Sequence, residues 1–295
     1  FFMNLGEGYI EGNLLAYLGT LAATVLVWCI NRKVMTGLIY NEINKVEDTK
    51  VKTVSEYRFL ERFGEVGEYM RLELKMLLRN KRCKASLRSV AMLVIIFSII
   101  LSFSSTYDHM KSFVQVYSFL GFGMVILIQL MGFEGNYIDG LMTRKESIKS
   151  LLTAKYYIYS LAEIIPLILL IPAFVMGKAS LLGAVALIFL TTGPVYCILF
   201  QLAVYNHKTV PLNESITGKQ SMNTGMQMLI SFGLFIIPTT LYGTLPMLLG
   251  QTWAYIVILI IGLGFTLTSP MWINNVYVRF MQRRYENMEG FRDSK

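Results

Sequence analysis

Between two long apolar runs the chain reads "EGNYIDGLMTRKESIKSLLTAKYY", from Glu134 to Tyr157, and this stretch carries seven charged side chains. The runs on either side are close to the roughly 18–20 residues that cross a bilayer as helix. The stretch therefore reads as a polar passage between two membrane spans. Composition agrees. Hydrophobic residues make up 54% of the chain and charged residues 16%, against about 25% charged in soluble domains. Mean hydropathy is +0.51. In hydrocarbon each backbone N–H and C=O must be satisfied within its own segment, so the spans are expected to be helices. The short alternating segments of a β-barrel are missing. The fold class is all-α, a polytopic membrane protein.

Seven transmembrane helices are expected, at 14–34, 88–104, 113–133, 155–176, 180–204, 225–248 and 253–277. Sidedness follows from the basic residues. Segments 32–88, 134–155, 206–224 and 279–295 hold 25 Lys and Arg, whereas the alternate set holds two, Lys111 and Lys178. Lys/Arg excess marks the cytoplasmic side. The expected organisation is an extracytoplasmic segment 1–13, a leading helix 14–34, a cytoplasmic linker 35–87, a six-helix unit 88–278 and a cytoplasmic tail 279–295. The net charge of +8 is then mostly a topology signal, with some attraction to anionic lipid, and calls for no nucleic acid. The leading span is either the tail of an upstream membrane unit or a simple anchor. The opening "FFMN" shows no signal pattern, and residues before Phe1 are expected in the natural chain.

Two amphipathic pieces stand out. Near the end of the linker, Val66, Met70, Leu74, Leu77 and Leu78 form one apolar stripe, with Arg71, Lys75, Arg79 and Arg82 on the other faces. That pattern predicts a helix at about 66–86, lying in the headgroup plane or serving as a basic flank. In the quoted stretch, Thr143 to Glu146 has the form of a capping box, which predicts a helix starting near Arg144. Ile138, Leu141 and Met142 before it, and Ile148, Leu151 and Leu152 after it, would hold two short helical pieces against the membrane. An ordinary solvated loop is the other reading.

The stretch resembles the first cytoplasmic loop of ABC-2 type transporter permeases. Those carry an acidic residue at the end of the second helix of a six-helix unit, followed by a pattern close to "E…G…LL.TRP.S…LL..K". Here Glu134, Gly140, Leu141, Met142, Thr143, Arg144, Ser147, Leu151, Leu152 and Lys155 stand in that order, with Lys145 at the family's proline. The family's elbow helix before the unit corresponds to this amphipathic helix, with Met70, Leu74, Leu77, Leu78, Arg79 and Arg82. The resemblance spans about residues 60–280. It implies an ATP-driven exporter permease whose loop residues Glu134, Asp139, Thr143, Arg144, Lys145, Glu146 and Ser147 form a coupling helix for an ABC ATPase subunit. It also implies a second permease unit as partner, membrane lipid around it, and a bacterial inner membrane as location.

This chain carries no ATPase motif of its own. The nearest lookalike, Asn213 to Gln220, lacks the first glycine and the Ser/Thr after lysine, so ATP and Mg are expected in the partner and no cofactor here. Cys29, Cys83 and Cys197, with His109 and His207, show no ligand spacing. No catalytic, cofactor-binding or metal residue is expected.

Glu163 is the acidic residue inside a span, which makes it a functional candidate or a hydrogen-bonded structural carboxyl. Gln129 and Gln201 are candidate partners. Pro238, Gly243 and Pro246 predict a broken or re-entrant segment, or a kinked helix. Tyr107, Tyr242, Trp253 and Tyr255 read as interfacial anchors. Two alternative functions remain: a secondary transporter using Glu163 for proton coupling, and a membrane scaffold that recruits a cytoplasmic partner.

Overall fold

The computed structural model describes residues 14–43, 57–103, 110–143, 145–206, 208–210 and 225–294. Segment 1–13, Tyr107, Arg144 and the lookalike at 213–220 lie outside the described residues. So do the side chains of Lys145, Glu146 and Ser147. All regular structure among the described residues is helical.

The chain divides into two units, 1–56 and 57–295. The first contains α1, Leu14–Ile43, whose stretch Tyr17–Gly37 is long and apolar enough to cross a membrane. The second unit opens with a 3-10 helix, Arg58–Phe63, followed by α2, Gly64–Arg79, and α3, Lys81–Phe103. Next come α4 (Lys111–Leu127), the short α5 (Ile138–Met142) and α6 (Lys145–Ala162). The short α7 (Ile164–Leu169) extends α6 into one span-length stretch, Ile148–Leu169, and α8 (Ile171–Val175) follows. Then α9, Leu181–Leu190, runs through a π-helical turn at Thr191–Val195 into α10, Tyr196–Tyr205. The chain closes with α11 (Gly225–Leu249), α12 (Gln251–Leu267), α13 (Ser269–Gln282) and α14 (Arg284–Asp293).

Among the described residues five helical stretches have the length and hydropathy of membrane spans, or six if the pair α12–α13, bent by 52°, is one span. The third expected span is the shorter apolar helix α4. The protein is thus an all-α polytopic membrane protein. Among the described residues four apolar clusters hold the second unit together, two large and two small. One large cluster gathers Leu127, Leu152, Tyr159, Phe200 and Phe280 at the Glu134 end of the bundle. The other large one gathers Phe119, Leu187, Tyr242 and Ile258 towards the Lys111 end.

Two boundaries differ from the sequence reading. The amphipathic helix ends at Arg79, not near residue 86, because Asn80 is extended at ψ 129°, so Arg82 belongs to α3 and not to the amphipathic helix. The expected break around Pro238, Gly243 and Pro246 is not there: α11 runs unbroken through both prolines and stops at Gly250, where φ is +82°. A proline removes one backbone donor. In that turn the Thr239 hydroxyl donates to Phe235 O at 2.6 Å and Thr240 to Ile236 O at 3.0 Å. These hydroxyls bond the carbonyls next to Leu234 O, the acceptor that Pro238 leaves without its backbone donor. Tyr242 and Tyr255 are buried and stack on each other, so they are not interfacial anchors.

Candidate functional site

The face of α2 that packs against α6 buries Gly67, Met70, Glu73 and Leu77. Leu74 is half-buried, while Leu78 and Arg79 are exposed. The apolar stripe therefore carries a carboxylate in its middle. Lys155, on α6, places Nζ 2.8 Å from Glu73 Oε1 and 2.8 Å from Glu134 Oε1. The side chains of Lys155, Glu73 and Glu134 are 1%, 3% and 0% exposed. Removing three ionisable groups from water is costly unless they compensate one another. Two carboxylates around one ammonium leave one negative charge in excess when all are ionised. Burial, the largest influence, pushes the Glu134 carboxyl up to about 7, with Lys155 opposing the rise and Glu73 adding to it. The Tyr159 hydroxyl donates to Glu73 Oε1 at 2.7 Å.

Lys155, Tyr159 and Glu163 stand at i, i+4 and i+8, which is one face of a helix. That face carries the polar line inward. The Tyr196 hydroxyl lies 2.6 Å from Glu163 Oε1 and 3.2 Å from the Tyr159 carbonyl. Glu163 is fully buried, and no described residue donates to its Oε2. Its partner is Tyr196, not the glutamines: Gln201 accepts from Arg279 instead, at 3.3 Å. Gly123 on α4 makes room, since a Cβ there would come within 2.3 Å of the Tyr196 hydroxyl.

Around Glu134 the loop is built, not slack. A 3-10 turn, Glu134–Tyr137, leads into α5. Thr143 is helical (φ −68°, ψ −26°), and its hydroxyl donates to Gly140 O at 2.8 Å, so it closes α5 where a cap for the next helix was expected. Asp139 pairs with Arg292 of α14 at 2.9 Å. The Thr209 hydroxyl donates to Phe291 O at 2.9 Å, and Asn136 Nδ2 donates to Val210 O at 3.0 Å. Gly135 is required here, because a Cβ would meet the Phe291 ring at 2.7 Å. The last residues thus form a docked helix against the loop.

The site therefore unites Glu134 and Glu163, both named from sequence, through Glu73, Lys155, Tyr159 and Tyr196. A family model described as a family of unknown function (DUF5687) matches residues 1–294. The chain belongs to DUF5687. No curated protein and no solved structure matches it. In this DUF5687 protein the match takes in α1 and the α2–α14 unit alike. The polar line inside that unit is then the principal chemical feature of its fold. It can hold a proton at either end, at Glu134 or at Glu163, and it can fix α2, the Glu134 loop and α6 as one rigid piece.

Proposed function

We propose that this protein is the membrane permease component of an ATP-driven ABC-type exporter, with seven spans and the charged loops facing the cytoplasm. A separate ATPase subunit would hold ATP and Mg. The observation that carries this reading is the buried contact of Glu73, Lys155 and Glu134. It ties the amphipathic helix before the six-span unit to the loop after its second span. Those two elements are where the resemblance to ABC-2 permeases lies. A loop that takes up a partner's motion must be stiff, and a buried ion cluster with α14 docked beside it supplies stiffness. The test is purification from native membranes in mild detergent, with Arg144→Glu/Lys145→Glu as the variant. An ATP-binding-cassette subunit should copurify with the wild type and be lost or uncoupled in the variant. Absence of any ATPase from the wild-type preparation at native expression overturns the reading.

A proton-coupled secondary transporter is the second reading. It is favoured by Glu163, a fully buried carboxylate whose Oε2 has no donor among the described residues. No second intramembrane carboxylate stands near it in sequence to complete a relay, which keeps this reading second.

A further inference from the structure

One extended residue, Asn80, at φ −74° and ψ 129°, joins α2 to α3. Beyond that joint α2 is held from the side. Met70 and Leu77 pack in the core that contains Leu152 and Tyr159, Glu65 Oε2 accepts from the Ser150 hydroxyl at 3.0 Å, and Glu73 enters the ion cluster with Lys155. The 3-10 helix before α2 belongs to the same piece, because a Cβ on Gly67 would overlap Leu60 O. Residues 58–79 therefore form an arm with a one-residue joint at one end and a buried ion cluster fastening its side.

The fastening needs a proton. Two carboxylates and one ammonium, all ionised, hold one net negative charge away from water, which is costly. One added proton makes the cluster neutral. Glu73 has two donors, Lys155 Nζ at 2.8 Å and the Tyr159 hydroxyl at 2.7 Å. Glu134 has the shared ammonium at 2.8 Å, and its Oε2 has no partner among the described residues. The carboxylate with less support takes the proton. The other titratable groups around it come from every neighbouring element: Tyr69 and Glu73 from α2, Cys83 from α3, Lys155 and Tyr159 from α6, and Tyr137 from its own turn. Arg82 of α3 acts on the Cys83 thiol and has further contacts. Phenols and thiols titrate above pH 7, so the balance near neutrality lies between Glu134 and the Lys155–Glu73 pair.

We propose that this cluster is a proton-operated latch: with Glu134 protonated it holds α2 against α6, and with Glu134 ionised it lets α2 swing about Asn80 and uncover Cys83. The sign follows from burial. In the closed form burial, opposed by Lys155 and aided by Glu73, holds the Glu134 proton up to about 7, whereas in water the ordinary value is 4.5. The closing contribution is full below 4.5, is lost as pH rises to about 7 and is flat beyond. Opening then becomes about tenfold more frequent between pH 6 and pH 8. Cys83 reports it. The residue lies on α3 just past the joint and is 1% exposed, and among charged groups Glu73 of α2 acts on it most. The latch stands whether or not an ATPase drives the protein.

The test uses the full chain in dodecyl maltoside with Cys29→Ser and Cys197→Ser, which leaves Cys83 as its single thiol. Labelling by N-ethylmaleimide is followed at each pH and divided by the rate for a free cysteine peptide, which removes the pH dependence of the thiolate itself. The corrected rate should rise about tenfold from pH 6 to pH 8. In Glu134→Gln and in Glu73→Gln it should stay level, because each substitution makes the cluster neutral without a proton. Two variants are used so that if one fails to fold the other decides. Hydrogen exchange of residues 64–79 should follow the same pattern. A level corrected rate in the unsubstituted cluster, or the same tenfold rise in a folded Gln variant, overturns the proposal.

Discussion

Glu73 and Lys155 stand 82 residues apart in the chain, yet their side chains meet at 2.8 Å with almost no access to solvent. Removing one member strands the others. Lys155→Met leaves two buried carboxylates without their cation and should cost about 3–5 kcal/mol. Adding Glu73→Leu should recover part of that loss, because one stranded charge goes with it. Chemical or thermal unfolding of the three variants in detergent measures the coupling, and additive losses would contradict it.

The same cluster gives a pH signature. Glu134 binds its proton more tightly in the folded chain, at about 7, than at the ordinary value of 4.5. Folding therefore takes up a proton between those values, and the contribution of Glu134 to stability falls as pH rises from about 4.5 to about 7. Above that range the contribution is flat. Glu134→Gln should lower the slope of the unfolding midpoint between pH 5 and pH 7. An unchanged slope would assign the titration to another group.

At Glu163 the two roles separate by substitution. Glu163→Gln keeps an acceptor for Tyr196 but cannot release a proton. If the residue couples transport to protons, the Gln variant should fold normally and lose transport. If it is structural, Gln should be tolerated and Glu163→Leu should lower stability by about 1 kcal/mol, since the Tyr196 hydroxyl then loses its shorter hydrogen bond and keeps only the Tyr159 carbonyl at 3.2 Å. Full transport and full stability in the Leu variant would contradict both.

Gly123→Ala tests the packing behind that pair. Its new Cβ would meet Tyr196 at 2.3 Å, and overpacking of this kind costs about 1–3 kcal/mol. Because that Cβ also overlaps ring carbons of Tyr196, a Tyr196→Phe background should leave the penalty of Gly123→Ala largely in place, whereas Tyr196→Ala should remove it.

Sidedness is checked by thiol labelling in cells. Thr252→Cys at the Lys111 end should react with an impermeant reagent, and Asp293→Cys in α14 should be shielded from it. Both residues are exposed. The reverse pattern would turn the protein over in the membrane.

What the sequence made legible was what repeats along it. Apolar runs marked the spans, and the stripe through Met70 and Leu77 marked α2. Glu134 and Glu163 were noticed because a carboxylate beside or within an apolar run is out of place. Glu73 was not noticed, because a glutamate among the charges of an amphipathic helix looks solvated. Its burial depends on Lys155, and no local pattern announces a partner at that distance. Tyr196 was hidden for a similar reason, as one more aromatic in an apolar run. The prolines of α11 point the other way: proline is a breaker by local rule, yet the helix spans both of them. Asn80 breaks the helix inside a stretch, "LRNKRCK", with no glycine or proline to signal it.

The π-helical turn at Thr191–Val195 has a consequence for aim. Such a turn holds one residue more than the α-helix it interrupts. One residue of α-helix corresponds to about 100° of rotation. The extra residue thus acts as an angular offset between α9, which faces α12, and α10, from which Tyr196 reaches Glu163. Deleting Thr192 should let the helix close into regular register and swing the Tyr196 ring away from the carboxylate, although no residue in contact with Glu163 has been changed. The orientation of the buried tyrosine is in this sense set by a count of residues, upstream of any contact it makes.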